Sequence, residues 1–198
     1  MREHHSILIV EDELITAAAI EELLLAEDYS VLGIAADATK ALQLCSQVQE
    51  PPALVICDIH IKGGIDGITL AGKLKQEYNC EIVFLTAYVD TRTLEAAFAQ
   101  EPVMYVVKPY SDKQLRVAVQ MAFHRFYQKQ KLNPPLKLQL TKREKQIATL
   151  VAQGLSSKQI AQQLYISEET VKTHRRRMIQ KNDISNFSQL TFLLSREG

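Results

Sequence analysis

The strongest constraint on the fold is a pattern in the first 130 residues, where five short apolar runs alternate with longer amphipathic stretches. The runs are rich in Val, Ile and Leu, as expected for strands that are buried on both faces. Repeated β–α units of this kind predict a doubly wound α/β fold, with a five-stranded parallel sheet and helices on both faces. The predicted strands are residues 6–10, 31–34, 53–57, 81–86 and 103–107.

The strand pattern stops after residue 128. The next stretch contains Asn133-Pro134-Pro135 and lacks periodicity, which is typical of a linker. Beyond it, four apolar stripes with helical spacing predict an all-α domain of four helices. The predicted organisation is therefore an α/β domain over residues 5–128, a linker over 129–138 and a helical domain over 139–198.

Charge divides the chain in the same way. The formal net charge is zero, but residues 1–130 carry 11 Lys and Arg against 18 Asp and Glu, a net charge of −7. Residues 131–198 carry 12 against 5, a net charge of +7. A basic domain joined to an acidic one indicates a polyanion, such as nucleic acid, as the partner of the basic half. A solvated basic surface without a ligand is the alternative that charge alone leaves open.

Two further features concern the cellular setting. No apolar run approaches the roughly 18 residues that a membrane helix needs, and the polar N-terminus does not resemble a secretory signal. The three cysteines have no metal-like spacing, which predicts buried, reduced thiols. We therefore expect a cytoplasmic protein without membrane contact.

Chemically active side chains stand at the carboxyl ends of four predicted strands. In a doubly wound sheet, these ends line the functional crevice. Carboxylates suit Mg²⁺, which prefers oxygen ligands together with water and phosphate oxygens. The pattern thus predicts a metal-binding pocket at this edge of the sheet, from Glu11 and Asp12 after the first strand, Asp58 after the third, Thr86 at the end of the fourth and Lys108 after the fifth.

With their neighbours, these residues resemble the receiver domain of two-component response regulators. The resemblance spans about residues 5–128 and implies a flavodoxin-like fold in which Asp58 accepts a phosphoryl group from a cognate histidine kinase. It implies no enzyme activity beyond the receiver's own phosphoryl transfer and autodephosphorylation. The motifs that carry it are Ile9-Val10-Glu11-Asp12, Cys57-Asp58, Leu85-Thr86-Ala87 and Tyr105-Val106-Val107-Lys108-Pro109.

The resemblance also assigns roles within the pocket. Two departures from the commonest pattern stand out: the acidic pair is Glu-Asp in place of two aspartates, and the loop after Asp58 lacks the usual proline and has one residue more. The implied roles are Mg²⁺ binding by Glu11, Asp12, Asp58 and the main-chain carbonyl of His60, and phosphoryl binding or switching by Thr86, Ala87, Lys108 and the aromatic Tyr105.

A second candidate site lies on a predicted helix from about residue 167 to 181. A helical wheel places an apolar spine that includes Val171 and Met178 opposite a basic, hydrogen-bonding face. Such a face fits the major groove and its phosphate walls. With the preceding helix over 157–164, this predicts a helix-turn-helix, although a solvated amphipathic helix remains the alternative. The cations clustered here are Lys172, Arg175, Arg176, Arg177 and Lys181.

The helical half is similar to the LuxR/NarL-type DNA-binding domain, on the motifs at residues 140–144, 154–161 and 167–174. This likeness implies core roles for Val171 and Ile160, binding to double-stranded DNA and a homodimer formed through the fourth helix. Asn182-Asp183 and Phe187 depart from the usual pattern near that helix. The implied DNA contacts are Lys172, Thr173 and Arg176 at base edges, and Thr170, Lys158 and Arg177 at phosphates.

Together, these features predict a transcriptional response regulator in which phosphorylation of Asp58 controls DNA binding. One alternative is a constitutive DNA-binding protein with a degenerate receiver. A Mg²⁺-dependent phosphohydrolase that acts through an aspartyl-phosphate is a second alternative. It is disfavoured because such an enzyme needs a further acid two residues after its nucleophile, and position 60 is His.

Overall fold

The computed structural model describes residues 5–87, 91–130 and 138–196. Most of the predicted linker, residues 131–137, lies outside this described part. The first part of the chain alternates strands and helices, as predicted. In order, these are β1 Ser6–Val10, α1 Leu14–Ala26, β2 Ser30–Ala35, α2 Ala38–Ser46, β3 Leu54–Asp58, α3 Gly67–Tyr78, β4 Glu81–Thr86, α4 Thr91–Phe98, β5 Met104–Val107 and α5 Asp112–Lys129.

The five strands form one parallel sheet in the order β2-β1-β3-β4-β5, which confirms the predicted doubly wound fold. Every residue of β1, β3 and β4 is buried, which explains their nearly continuous apolar sequences. The strand order reverses between β1 and β3. A crevice therefore opens beyond the carboxyl ends of these two strands, where ligands bind in open α/β sheets.

The sheet separates two apolar clusters. On one face, Leu8, Val55 and Phe84 pack with residues of α2 and α3. On the other face, the side chains of the sheet pack with α1 and α5, and this cluster continues without a break into the helices of the second half. The two halves of the chain therefore share one apolar core.

Four helices follow, as predicted, and each begins with a side-chain cap. Thr141, Ser156, Ser167 and Asn186 each accept a hydrogen bond from the main-chain N–H three residues further on, which satisfies a free donor at the helix start. The last helix begins at Phe187, because Asn186 is its cap. The helices are α6 Lys142–Ala152, α7 Ser157–Leu164, α8 Glu168–Lys181 and α9 Phe187–Leu194.

Two smaller expectations, which concern buried side chains, are confirmed as well. Ile160 and Val171 are fully buried in the core. The three cysteines, Cys45, Cys57 and Cys80, are buried free thiols. Among the described residues, no helix is both long enough and apolar enough to cross a membrane.

Gly67 illustrates how closely α3 approaches β3. A Cβ atom at Gly67 would lie 1.9 Å from the main-chain oxygen of Asp58, whereas a Cβ at Gly64 would meet nothing within 4 Å. We expect Gly67→Ala to lower the free energy of unfolding by about 1–3 kcal/mol, because the clash forces the backbone apart. Urea unfolding measures the change, with Gly64→Ala as the matched control. Equal midpoints for the two variants would contradict this packing.

Candidate functional site

Three carboxylates meet at the carboxyl ends of β1 and β3. One oxygen from each of Glu11, Asp12 and Asp58 lies within 4.8 Å of the others. The parallel pairing of Val10 with Cys57 produces this proximity, because the residues that follow both strands emerge side by side. Glu11 and Asp58 are buried and Asp12 is half-buried. The predicted acidic pocket is therefore present, and its most accessible carboxylate is Asp12.

Lys108 supplies the positive charge at the centre of the pocket. Its Nζ donates hydrogen bonds to Glu11 Oε2 at 2.7 Å and to Asp58 Oδ2 at 2.6 Å. Burial by itself lowers the pKa of Lys108, but the hydrogen bonds and negative charges of Asp58 and Glu11 together outweigh burial, and the pKa is raised. Burial raises the pKa of Glu11 by more than the bond from Lys108 lowers it. Lys108 thus stays charged and holds two acids that would otherwise repel each other.

The remaining predicted residues of the pocket lie around this centre. Thr86 is buried, and its hydroxyl has no hydrogen-bond partner among the described residues. Ala87, the next residue, is exposed. The main-chain N–H of His60 donates to Asp58 Oδ1 at 2.9 Å, while the His60 residue itself is exposed.

Tyr105 lies at the side of the sheet, half-buried between aromatic rings. Its ring centroid is 5.1 Å from that of Phe98 and 5.7 Å from that of Phe84. Burial raises the pKa of the Tyr105 phenol to about 12, so the hydroxyl is protonated at neutral pH. Within the described part of the chain, that hydroxyl has no hydrogen-bond partner.

The basic face of α8 is partly exposed to solvent. Thr170, Arg176 and Arg177 are exposed, and Lys172 and Thr173 are half-buried. The ammonium of Lys172 forms an ion pair with Glu168, one turn earlier, at 2.9 Å. Lys158 is exposed in the first turn of α7. The structure thus gathers the predicted DNA contacts onto α8 and the adjacent start of α7.

Comparison with known proteins identifies both halves. Residues 7–120 match the response regulator receiver domain, and residues 138–194 match the bacterial regulatory proteins of the luxR family. The chain belongs to the response regulator family. It is a regulator of transcription with a receiver and a LuxR-type DNA-binding domain, which confirms both resemblances drawn from the sequence.

Individual relatives agree with this assignment. The oxygen regulatory protein NreC of Staphylococcus haemolyticus is 26% identical over 206 residues, covering 93% of this response regulator and 94% of NreC. The transcriptional regulatory protein LiaR of Bacillus subtilis is 25% identical over 206 residues, covering 92% of this chain and 93% of LiaR. PdtaR of Mycobacterium tuberculosis is 33% identical over 120 residues, 61% of this chain and 57% of PdtaR.

Two solved structures show the same fold. A receiver domain of a modulated diguanylate cyclase from Desulfovibrio desulfuricans is 29% identical with a TM-score of 0.59, and the match covers 63% of this chain and 97% of that one. RcsB from Salmonella enterica, bound to a promoter with a phosphomimetic, covers 98% of this chain and 99% of its own. Its TM-score is 0.52 and its identity 21%, so this likeness concerns the fold alone.

One basic side chain on α8 of this response regulator is buried, although the charge pattern grouped it with the surface cations. Arg175 is 1% exposed, and its guanidinium forms an ion pair with the Glu27 carboxylate at the end of α1. It also donates to the main-chain oxygen of Glu27 at 2.6 Å and to Ser157 Oγ at 3.0 Å. Arg175 is therefore not part of the basic surface, and grouping it with the exposed cations was wrong.

A sequence signal for this burial exists. Arg175 lies four residues after Val171 and three before Met178, on the apolar stripe of α8, and both neighbours are fully buried. A charged residue on such a stripe indicates a buried partner. Which residue is that partner could not be read from the sequence, because Glu27 lies 148 positions away.

The turn between α1 and β2 also contacts the DNA-binding domain through Asp28 and Tyr29. The guanidinium Nε of Arg176 donates to Asp28 Oδ1 at 3.2 Å. The hydroxyls of Tyr29 and Ser188 share a hydrogen bond of 2.7 Å. The receiver therefore holds one of the predicted base-contacting residues, an interaction that the sequence analysis missed.

Proposed function

We propose that this response regulator accepts a phosphoryl group on Asp58 from a histidine kinase, and that this modification controls DNA binding. The observation that carries the proposal is the pocket in which Asp58 lies between Glu11, Asp12 and Lys108. We assign residues 5–128 to the receiver, 129–138 to a linker and 139–198 to the DNA-binding domain.

The donor set fits Mg²⁺, because three carboxylates converge within 4.8 Å and hard cations prefer oxygen ligands. The residues that would hold the ion are Glu11, Asp12, Asp58 and the main-chain carbonyl of His60. Bound Mg²⁺ would offset the repulsion between the attacking carboxylate and the anionic phosphodonor.

In the transfer step, a carboxylate oxygen of Asp58 attacks the phosphorus atom of the kinase phosphohistidine. The new O–P bond forms as the P–N bond breaks, and its electron pair returns to the imidazole. Lys108 already contacts Asp58 Oδ2, so its ammonium is placed to stabilise charge on the phosphoryl oxygens. The His60 N–H holds the other oxygen of Asp58.

The phosphoryl group then offers acceptors that the unmodified pocket lacks. The hydroxyl of Thr86, which has no hydrogen-bond partner among the described residues, can donate to it. Movement of Thr86 toward Asp58 frees space beside β5, in which the half-buried ring of Tyr105 can bury further. These contacts exist only in the modified protein, which is the condition for a shift between two conformations.

Asp58→Ala tests the acceptor. We expect the native protein to gain one phosphoryl group on incubation with acetyl phosphate and Mg²⁺, and Asp58→Ala to gain none, because Asp58 is the sole acid that ends β3. Intact-mass spectrometry measures the gain. Asp112→Asn, which changes an exposed acid at the start of α5, should be labelled like the native protein. A native protein that is never labelled would favour the constitutive alternative.

For the DNA interface, we propose that Lys172, Thr173 and Arg176 contact base edges. Thr170, Lys158 and Arg177 would contact phosphates. Support comes from their placement on the basic face of α8 and the start of α7, with the apolar side of α8 buried. An α-helix with this distribution fits the major groove.

The two kinds of contact should respond differently to substitution. Lys172→Ala should cost about 1–3 kcal/mol at the preferred operator and relax specificity there. Arg177→Ala should weaken binding to all sequences alike and reduce the salt slope by about one. Binding titrations on operator and random duplexes, over a range of salt concentrations, separate the outcomes. Identical behaviour of the two variants would argue against base readout by α8.

The contact between the receiver and α8 suggests how output is controlled. Asp28 forms an ion pair with the guanidinium of Arg176, and the ion pair of Glu27 with Arg175 is buried beside it. DNA that binds the guanidinium of Arg176 must compete with the Asp28 carboxylate. The receiver also lies directly beside α8. We propose that this arrangement restrains DNA binding, and that phosphorylation loosens it.

The proposed homodimer is subject to the same restraint. The ring of Phe192 on α9 lies 5.8 Å from that of Tyr127 on α5. Leu190 and Leu193 of α9 are also buried. If α9 forms the dimer, as in similar domains, its apolar face must leave α5 first. Separation of the domains would thus release α8 and α9 together.

Glu27→Gln tests this restraint. Without the Glu27 charge, the buried Arg175 keeps the Asp28 carboxylate, 3.7 Å from its Nε. The cost to the closed arrangement is therefore below the about 3–5 kcal/mol of a fully unpaired buried charge. We expect unphosphorylated Glu27→Gln to bind operator DNA at least roughly tenfold more tightly than the native protein. Glu22→Gln, an exposed site on α1, is the matched control. Equal affinities for both variants would show that the closed arrangement does not limit DNA binding.

A further inference from the structure

Lys62 contacts the acidic pocket from the solvent side. Its Nζ lies 2.9 Å from Asp12 Oδ2, although 85% of the Lys62 side chain is exposed. Asp12 is the most accessible of the three acids, with 17% of its side chain exposed against 1% for Glu11 and 10% for Asp58. The lysine therefore covers the carboxylate that an entering cation would meet first.

The backbone of Lys62 is held in place. Lys62 forms an isolated parallel bridge with Asp37, which joins the loop after β3 to the loop after β2. The next residue, Gly63, has φ of +121° and approaches the Asp37 side chain, a conformation that favours glycine. Ile61 and Ile65 pack against the apolar cluster below. Because the backbone is anchored, only the lysine side chain must be ordered to make the ion pair.

The two lysines divide the three carboxylates between them. Lys108 forms ion pairs with Glu11 and Asp58, and Lys62 forms one with Asp12. Lys108 pairs with two acids, and only 20% of its side chain is exposed, so it is a fixed part of the pocket. Lys62 has one partner in the pocket and a free path to solvent. A cation that binds Asp12 can displace its ammonium without disturbing the core.

We propose that Lys62 is a built-in counter-ion that competes with Mg²⁺ for Asp12 and thereby weakens the Mg²⁺ affinity of the pocket. This inference rests on the proposed Mg²⁺-dependent phosphorylation. An ammonium and a divalent cation repel each other, and both need the same carboxylate. When Mg²⁺ is absent, the two ammonium groups therefore offset most of the negative charge of the three carboxylates. Mg²⁺ must displace Lys62 before the acids can hold it.

The opposite role has a distinct signature. If Lys62 assisted the metal site, for example by ordering Asp12 for coordination, its removal would weaken Mg²⁺ binding. Competition predicts that its removal strengthens binding. The sign of the change in affinity therefore distinguishes the two roles.

The experiment is a Mg²⁺ titration of the unphosphorylated full chain, followed by the amide NMR signals of the pocket. An exposed ion pair contributes little, so Lys62→Met should lower the Mg²⁺ dissociation constant only roughly two- to fivefold. Lys62→Arg keeps the cation and should bind like the native protein. Lys73→Met removes an equal charge from an exposed position on α3 and should also leave the affinity unchanged.

A double-mutant cycle isolates the contact from general charge effects. In an Asp12→Asn background, Lys62→Met should no longer change the Mg²⁺ affinity, because the shared carboxylate is gone. Equal or weaker binding by Lys62→Met in the otherwise native chain would overturn the proposal. A native protein whose Glu11 and Asp58 signals do not respond to Mg²⁺ would instead overturn the metal site, and with it the proposed function.

Discussion

The structure depends on an electrostatic constraint at the end of the sheet. Three carboxylate oxygens lie within 4.8 Å of one another, two of the acids are buried, and like charges at such distances repel strongly away from water. Lys108 relieves this repulsion by holding Glu11 and Asp58 together. Lys108 and Lys62 together offset most of the charge of the three acids, and any change of charge on Asp58 alters the balance that positions Lys108. Such a pocket is suited to the phosphoryl transfer that we propose for it.

A second ion pair extends this logic to the other half of the chain. The buried charge of Arg175 on the DNA-binding domain is matched by Glu27 on the receiver, so the pair is complete only when the two domains are together. A buried pair contributes little net stability, but an unpaired buried charge is costly. The interaction therefore acts mainly on the choice between joined and separated domains. The continuous apolar core, with α9 against α5, favours the joined arrangement as well.

Most of the architecture follows from local rules. The apolar runs of the strands, the side chains that cap α6, α7 and α8 and the apolar stripe of α8 are each encoded within a few residues of the chain. The pocket could also be predicted, because parallel strands bring the residues that follow them to one edge. The likeness to known receivers then gave roles to those residues, and the pairing of β1 with β3 places the acids as expected.

The sequence by itself determined the two kinds of domain, the acidic pocket and the basic face of α8. It did not determine how the domains meet. Whether Arg175 is a surface cation or a buried one depends on Glu27, 148 residues away, and the same holds for Arg176 and Asp28. The contact of Lys62 with Asp12 depends on how two loops pair. Local sequence patterns predict which side chains are buried and which surfaces are charged. Which distant residues pair with one another is decided only when the tertiary structure brings their atoms together.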